Sequence, residues 1–288
     1  SLVKTADPFS TMVLSPFDDP WIPETSYPNL PEYPYDFGIE REVTVLKTGQ
    51  EQYNWQVDDF DKPKEEDLII YEVLIRDFDS ERTFQNLIDR IDYFNDLNIN
   101  AIELMPVMEY EGNESWGYNT AFHMSVDKFY GPEDKLKEFI DLCHQNGIAV
   151  IFDLVMNHVM GRSPMNRMWM NDPDENGWGE PSEENPYFNE IATHTYSLGN
   201  DFNHQSTFTQ YYTKRVVKHW IENFKIDGIR WDLTKGFTQN CSTQDYDCTN
   251  GYQQDRVDIL KNYADYSWSL DPNHYVIFEH LGGSSEEQ

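Results

Sequence analysis

The sequence predicts an α/β fold of the (β/α)8 TIM-barrel type, in which the first five strand–helix units can be recognised. Apolar runs typical of buried strands alternate with segments of helical periodicity, as in a parallel sheet covered by helices. Asp153, Asp232 and Glu279 each lie at the carboxyl end of such a run, where barrels place their active sites. A doubly wound sheet is the competing architecture, but no glycine-rich phosphate motif follows the first strand.

Each element is predicted from its own pattern. Continuous apolar runs predict strands, and recurrence of apolar residues every three to four positions predicts helices. Pro132 and Gly147 bracket one of these helices, as expected of its first turn and its end. The strands are predicted at residues 67–78, 100–107, 148–155, 227–232 and 274–280, and the helices at residues 83–100, 131–147, 207–224 and 251–270.

The chain divides into two predicted parts. Residues 1–64 are rich in proline, aspartate and aromatic residues, and their one alternating apolar run, "REVTVLKTG", predicts a strand. We expect this part to be the tail of a β-sandwich-like domain with a linker, and residues 65–288 to be a partial barrel. A polar insertion after the third strand, about residues 159–204, is expected to form a lobe. Its Trp169 and Trp178 are either substrate platforms or the lobe's own core.

Composition excludes several classes of partner. The chain carries 52 acidic and 21 basic residues, a formal net charge of -31, which repels nucleic acids and anionic membrane surfaces. No apolar run approaches the length of a membrane span, so we expect no membrane insertion. The aromatic content of 15% favours contacts with sugar rings or simply fills the interior. The oligomeric state is left open.

The three cysteines give limited information. Cys143 lies in a predicted helix and is expected to be a buried free thiol. Cys241 and Cys248 bracket a polar loop, and their spacing allows a small disulfide without requiring one.

Arg230 and Asp232 lie two positions apart in a predicted strand, so their side chains share a face. A guanidinium beside a carboxylate lowers the carboxyl pKa, which suits a nucleophile or a charge stabiliser. A structural ion pair is the alternative interpretation.

Asp232 and Glu279 end neighbouring predicted strands, where their side chains can converge. Retaining glycosidases need two carboxyl groups about 5 to 5.5 Å apart, one as nucleophile and one as acid/base. Glu279 has no cation placed beside it in the sequence, so we expect it to stay protonated to higher pH than Asp232. The hypothesis is therefore that Asp232 is the nucleophile and Glu279 the acid.

Four segments in this order resemble the signature regions of the α-amylase family of retaining α-glucan-active glycoside hydrolases. The resemblance covers about residues 66–288, and it implies a catalytic barrel. The segments are "WGYNTAFHMSVDKFYG" after the second strand, "DLVMNH" (153–158), "GIRWDLTKG" (228–236) and "VIFEHLGG" (276–283).

The resemblance implies a role for each matching residue. Asp232 would form the covalent glycosyl-enzyme, Glu279 would be the acid/base, and Arg230 would orient Asp232. Substrate-binding roles would fall to the remaining matches: His158 to the sugar hydroxyls, Tyr118 and Trp116 to the sugar ring, Lys235 to the leaving-group side, and Asp153, a buried carboxylate, to organising Arg230.

The family resemblance also implies a Ca²⁺ site. Asn157 and Asp201 match positions that bind calcium in many members, and amide and carboxylate oxygens suit that cation. Two candidates fall short of the six to eight oxygen ligands that calcium takes. No organic cofactor is expected.

The expected activity is retaining hydrolysis of α-1,4-glucans such as starch, glycogen and maltooligosaccharides. The family's third carboxylate belongs to an H-D pair on a later strand, and no such pair follows Glu279 here. We therefore expect the chain to be a piece of a larger enzyme. A branching or debranching enzyme and a non-catalytic glucan-binding protein are the alternatives. A secreted or cell-envelope location is expected.

Overall fold

The computed structural model describes residues 4–37 and 40–281. Short strands lie in the first part and in the insertion, and longer ones form the sheet. In chain order they are β1 (Val13–Leu14), β2 (Val43–Thr44), β3 (Ile70–Val73), β4 (Ala101–Leu104), β5 (Met108–Tyr110), β6 (Thr120–Val126), β7 (Ala149–Leu154), β8 (His158–Val159), β9 (Met170–Asn171), β10 (Glu180–Pro181), β11 (Asn200–Asp201), β12 (Gly228–Trp231) and β13 (Tyr275–Phe278).

The longer α-helices follow the predicted periodic segments, and three short helices lie outside them. The α-helices are α1 (Ile75–Phe78), α2 (Phe84–Asp89), α3 (Ile91–Asp96), α4 (Glu133–Gln145), α5 (Pro164–Arg167), α6 (Thr207–Phe224), α7 (Tyr246–Asn250) and α8 (Gln254–Leu270). The single helix predicted over 83–100 is two helices, because the chain leaves helical geometry at Arg90. The first predicted strand is also shorter than expected, since α1 begins at Ile75.

Five strands form one parallel sheet in the order β13-β12-β7-β4-β3, so β3 and β13 are its edges. All five predicted strands are present in it. Helices α2, α4, α6 and α8 contribute to the hydrophobic core on one side of this sheet, with Phe84, Phe139, Trp220 and Tyr263 among its buried aromatic residues. The structure thus contains the predicted parallel sheet with its covering helices.

The register of the sheet aligns polar residues on the other face in successive rows. Arg230 pairs with Asp153 of β7 on one side and with Ile277 of β13 on the other. Asp232 and Glu279 are the first residues after β12 and β13, respectively. Two residues earlier in these strands than the Arg230 row, the next row on the same face consists of Glu72, Glu103, Ile151, Gly228 and Tyr275.

The first part of the chain contacts both the sheet region and the insertion. β1 pairs with β2 in an antiparallel ribbon, and Val13 packs against Ala121 and Phe122 of β6. Arg162 of the insertion contacts Asp18, and its Nη1 atom lies 3.7 Å from Glu42 Oε1. The contacts of Asp18 and Glu42 tie the first part of the chain to the segment after β8.

The cysteines and the hydrophobic segments also have defined places. Cys143 is a buried free thiol on α4, as predicted, and Cys241 and Cys248 form a disulfide. Within residues 4–37 and 40–281, no helix has both the length and the apolar character needed to cross a bilayer.

Candidate active site

Arg230 is the centre of a cluster of carboxylates at the carboxyl end of the sheet. Its Nη1 atom lies 3.0 Å from both carboxylate oxygens of Asp153 and 3.0 Å from Asp232 Oδ1. Its Nη2 atom lies 2.6 Å from Glu279 Oε1. Its Nε atom lies 3.9 Å from Glu103 Oε1. One guanidinium therefore joins carboxylates from four neighbouring strands or their ends.

Two further side chains fix the carboxylates on either side of Arg230. Asn157 Nδ2 donates to Asp232 Oδ2 at 2.7 Å, so each carboxylate oxygen of Asp232 has its own donor. The Tyr118 hydroxyl donates to Asp153 Oδ2 at 2.8 Å. Asp153 is completely buried, whereas Asp232 retains a small exposed fraction.

The turn after β12 holds Glu279. Leu233 has a φ of 44°, in the left-handed region that costs energy for a residue with a Cβ. This conformation accompanies a hydrogen bond of 2.8 Å from the Leu233 amide to Glu279 Oε2. Thr234 donates from its amide and its hydroxyl to the Glu279 carbonyl, both at 2.9 Å. Glu279 is thus oriented by the same segment that carries Asp232.

Arg230 lowers the pKa of Asp232, as expected, but the net shift of this pKa is upward. Burial raises the pKa of Asp232 to about 6, because removal from water disfavours the charged form more strongly than Arg230 favours it. Burial likewise raises the pKa of Asp153 to about 8, against the effect of Arg230. One cation is shared among several carboxylates, so no single carboxylate receives its full effect.

No cation lies beside Glu279 in the sequence, but the structure places one next to it. Arg230 reaches it across the strand boundary, at the shortest of the guanidinium distances given above. Sequence position did not indicate this contact, because it depends on the pairing of β12 with β13. Since Arg230 contacts both Asp232 and Glu279, proximity to Arg230 does not tell the acid from the nucleophile.

Comparison with known proteins gives a consistent result. Residues 77–166 match the model of the α-amylase catalytic domain family. The malto-oligosyltrehalose trehalohydrolase of Saccharolobus solfataricus is 31% identical over 65% of this chain and 31% of its own length. The 1,4-alpha-glucan branching enzyme of Halothermothrix orenii is 30% identical over 69% of this chain and 32% of its own length. The chain belongs to the α-amylase family.

Solved structures also share the fold of the described part of this chain. Pullulanase type I from Bacillus subtilis, complexed with maltose, superposes with a TM-score of 0.60 and 21% identity, over 84% of this chain and 35% of that one. The Amy13B structure from Eubacterium rectale superposes with a TM-score of 0.57 and 22% identity, over 73% of this chain and 43% of that one. The chain thus spans less than half the length of these relatives.

The other residues predicted from the α-amylase resemblance lie at different depths. His158 is buried, with Nε2 2.8 Å from the Tyr118 carbonyl and Nδ1 2.5 Å from Asn157 Oδ1. Both ring nitrogens therefore face protein oxygens. A sugar hydroxyl can bind His158 only by replacing one of these two hydrogen bonds. Lys235 is fully buried, with Nζ 3.5 Å from the Asn250 carbonyl. Trp116 is 57% exposed beside the loop that carries Tyr118.

The calcium expectation does not fit the oxygen atoms as they are placed. Asp201 is buried, and its carboxylate accepts hydrogen bonds from His194 at 2.8 Å and from Asn189 at 2.8 Å. Asn157 uses its amide between Asp232 and His158. In the part of the chain that the structure describes, no group of three or more histidine, cysteine or acidic side chains is arranged to hold a metal. Calcium binding stays a prediction from the resemblance, and no chemical step is derived from it.

Trp178 packs within the insertion and against the first part of the chain. The guanidinium carbon of Arg167 lies 4.5 Å from its ring centroid, and that of Arg41 lies 5.0 Å from it. Trp169 contacts Tyr187 with ring centroids 5.9 Å apart. Trp169 therefore packs inside the insertion, whereas Trp178 packs against two arginines and stays 40% exposed, so both interpretations stay open for Trp178.

Two contributors to the site were missed in the sequence. Glu103 reaches Arg230 from β4, and Thr234 binds the backbone of Glu279. A signal existed for Glu103, since it is the one charged residue in the apolar run "NAIELMPV". No sequence signal distinguished Thr234, because its role follows from the turn geometry after β12.

Proposed function

We propose that the protein is a retaining glycoside hydrolase of α-1,4-glucans, with Asp232 as nucleophile and Glu279 as acid/base. The observation that carries the proposal is the convergence of these two carboxylates on one guanidinium, at the ends of adjacent parallel strands of an α-amylase-family chain. This arrangement provides the two neighbouring carboxyl groups that double displacement needs.

In the proposed first step, Asp232 attacks the anomeric carbon while Glu279 gives its proton to the leaving glycosidic oxygen. The bond from the anomeric carbon to that oxygen breaks, and a bond from the carbon to Asp232 forms. In the second step, Glu279 takes a proton from water, and the resulting hydroxide displaces Asp232 with a second inversion. With a pKa of about 6, Asp232 is mostly ionised at pH 7, as a nucleophile requires.

Around these two groups, Arg230 would hold both carboxylates in position, and Asp153 and Asn157 would fix Arg230 and Asp232. We further propose that Tyr118, Trp116, His158 and Lys235 contact the glucan. Trp116 is the member of this group with the most exposed side chain, so it is the one able to stack on a sugar without rearrangement.

We also propose that the five-stranded sheet is part of a (β/α)8 barrel. The two open edges, β3 and β13, and the polar residues aligned on the inner face support this proposal. In this proposal residues 1–64 belong to a preceding β-sandwich-like domain and its linker, and about residues 159–204 form a lobe beside the barrel mouth. A secreted or cell-envelope location stays a prediction.

The test is product analysis with the full-length protein. Maltoheptaose is incubated with the wild type and with Asp232→Asn, and the products are separated by chromatography and followed by proton NMR. We expect shorter maltooligosaccharides whose new reducing ends first appear as the α-anomer, and no products from the variant. First appearance of the β-anomer would contradict the retaining mechanism.

A second candidate function follows from the relatives. The trehalohydrolase named above and the branching enzyme have similar identities to this chain, and pullulanases are among the structures that superpose on it. Parallel reactions with a maltooligosyltrehalose, with amylose and with pullulan separate these activities. Release of trehalose, formation of branches or release of maltotriose, at rates above those on maltoheptaose, would replace linear-glucan hydrolysis as the function. Glucan affinity without any turnover would indicate a binding protein.

A further inference from the structure

Glu103 occupies an unusual place in the sheet. Glu103 pairs with Ile151 of β7, two residues before Asp153, which pairs with Arg230. Glu103 therefore lies one row deeper in the sheet than Arg230, on the same face. Its neighbours on that face include Ala101, Ala149 and Ile151, which form an apolar cluster. Side chains that fill this level of a parallel barrel are usually branched and apolar. A carboxylate here is therefore an exception that needs an explanation.

The carboxylate of Glu103 has little to compensate for its burial. The residue is 9% exposed, and burial raises its pKa despite Arg230. Its nearest cationic atom is Arg230 Nε, 3.9 Å away, and within residues 4–37 and 40–281 it accepts no hydrogen bond that meets ordinary geometric limits. A buried carboxylate with one long ion contact does not stabilise a fold. Stability alone thus does not account for it.

The contacts of Arg230 explain the position better. Nη1 faces Asp153 and Asp232, and Nη2 faces Glu279, so both terminal nitrogens are directed toward the mouth of the sheet. Nε is the remaining donor, and Glu103 lies on that side, one row deeper. The Glu103 carboxylate, 3.9 Å from Nε, attracts the guanidinium against the pull of the outer carboxylates and restricts its rotation.

We propose that Glu103 is a positioning residue, which holds Arg230 from its Nε side so that the two Nη atoms stay on Asp232 and Glu279. The inference rests on the proposed function, in which those carboxylates perform the chemistry. Glu103 touches neither the substrate nor the reacting atoms, and it acts through Arg230.

The experiment compares Glu103→Leu and Glu103→Gln in the full-length protein, measuring kcat, KM and Tm. Leucine removes the acceptor, and we expect kcat to fall about 10-fold with KM within about twofold, since small misplacement of an orienting group affects the chemical step. Tm should not fall, because three carboxylates still pair with Arg230 and an apolar side chain suits the row. Glutamine keeps an oxygen that can accept from Nε, so kcat should stay within about threefold of the wild type.

Glu72→Leu is the matched control, because Glu72 lies in the same row on the neighbouring strand. We expect its kcat to match the wild type. Wild-type kcat in Glu103→Leu, or a fall in Tm that accompanies the loss of activity, would overturn the positioning role. An equal loss in Glu72→Leu would also overturn it, since general charge on the inner face would then be the cause.

Failure of the proposed function has a different signature. If the wild type acts on no α-glucan, kcat cannot be compared, and crystal structures of the wild type and Glu103→Leu decide the question. A guanidinium displaced by about 1 Å or more in the variant supports the positioning role, and an unchanged Arg230 contradicts it.

Discussion

Two buried clusters of this protein combine one cation with several carboxylates, yet they differ in access to solvent. In the Arg230 cluster, the Glu279 side chain is 28% exposed at the mouth of the sheet. In the second cluster, Lys128 contacts Glu109 of β5, and its Nζ lies 3.2 Å from Asp19 Oδ1, with every one of these side chains nearly inaccessible. The second cluster joins the first part of the chain to the β5–β6 ribbon.

The titration behaviour of the two clusters is similar. Burial raises the pKa of Glu109 to about 7 and that of Asp232 to about 6, in each case against the effect of the neighbouring cation. Perturbed pKa values therefore mark both clusters and do not identify the active one. What distinguishes the Arg230 cluster is its open side, through which a substrate can approach Glu279 and Asp232.

The largest effect is expected from Asp232→Asn. The amide keeps the shape of the side chain but cannot form the glycosyl-enzyme, so turnover should fall by at least about 10⁴-fold. Tm at pH 7 should be no lower than that of the wild type, because a buried negative charge is removed. The measurement is formation of reducing ends from maltoheptaose by the full-length protein, together with a thermal melt. Retention of a tenth of the activity would exclude Asp232 as the nucleophile.

The position of Asp232 could be predicted from the sequence, but its chemical state could not. Apolar runs indicated all five strands, and polar residues at their ends indicated the site. The sign of the Asp232 pKa shift depends on burial and on how one guanidinium is shared, which only strand pairing determines. Neither Glu103 nor the Lys128 cluster was recognised, because each contact joins distant segments.

The next largest effect is expected from Lys128→Met. Methionine leaves Glu109 and Asp19 buried beside one another without their cation, and removal of one partner from such a cluster typically destabilises a protein by about 3–5 kcal/mol. Chemical denaturation at pH 7 measures the loss. The kcat per folded molecule should stay within about twofold of the wild type, in contrast to Asp232→Asn.

A double variant provides the control for this prediction. Adding Glu109→Gln to Lys128→Met removes one of the unpaired charges, so part of the lost stability should return. If the single variant is as stable as the wild type, the Lys128 cluster does not hold the first part of the chain to the ribbon. If kcat falls as well, the distinction between a structural and a chemical cluster is wrong.

A third prediction concerns pH. The folded-state pKa of Asp232 exceeds its ordinary value, so the native state binds more protons than the unfolded state between about pH 4 and 6, and stability falls as pH rises through this window. A shift from 3.8 to about 6 corresponds to roughly 3 kcal/mol. Asp232→Asn should therefore gain stability relative to the wild type from pH 4 to pH 7. Glu109→Gln should do the same up to about pH 7.

Thermal melts of both variants and the wild type across this range test the prediction. Parallel gains would confirm that pH-dependent stability is a common property of the two clusters. A gain that falls with pH in either variant would mean that the cation, and not burial, determines the charge of that carboxylate.

The smallest effect is expected from the Cys241–Cys248 disulfide, which closes a short loop on the side of the Arg230 cluster. The bridge spans seven positions, and the chain-entropy estimate for so short a loop is about 2 kcal/mol. α7 contains Cys248 and ends at Asn250, whose carbonyl faces Lys235. The Thr195 amide donates to the Thr249 hydroxyl in the same helix.

Replacing both cysteines by serine should therefore loosen the loop beside the site, lowering kcat/KM about twofold, and should leave the Lys128 cluster unaffected. Dithiothreitol should reproduce this change in the wild type and add nothing in the double-serine variant. A fall in Tm without any change in kcat/KM would show that this loop, like the Lys128 cluster, serves the fold and not the site.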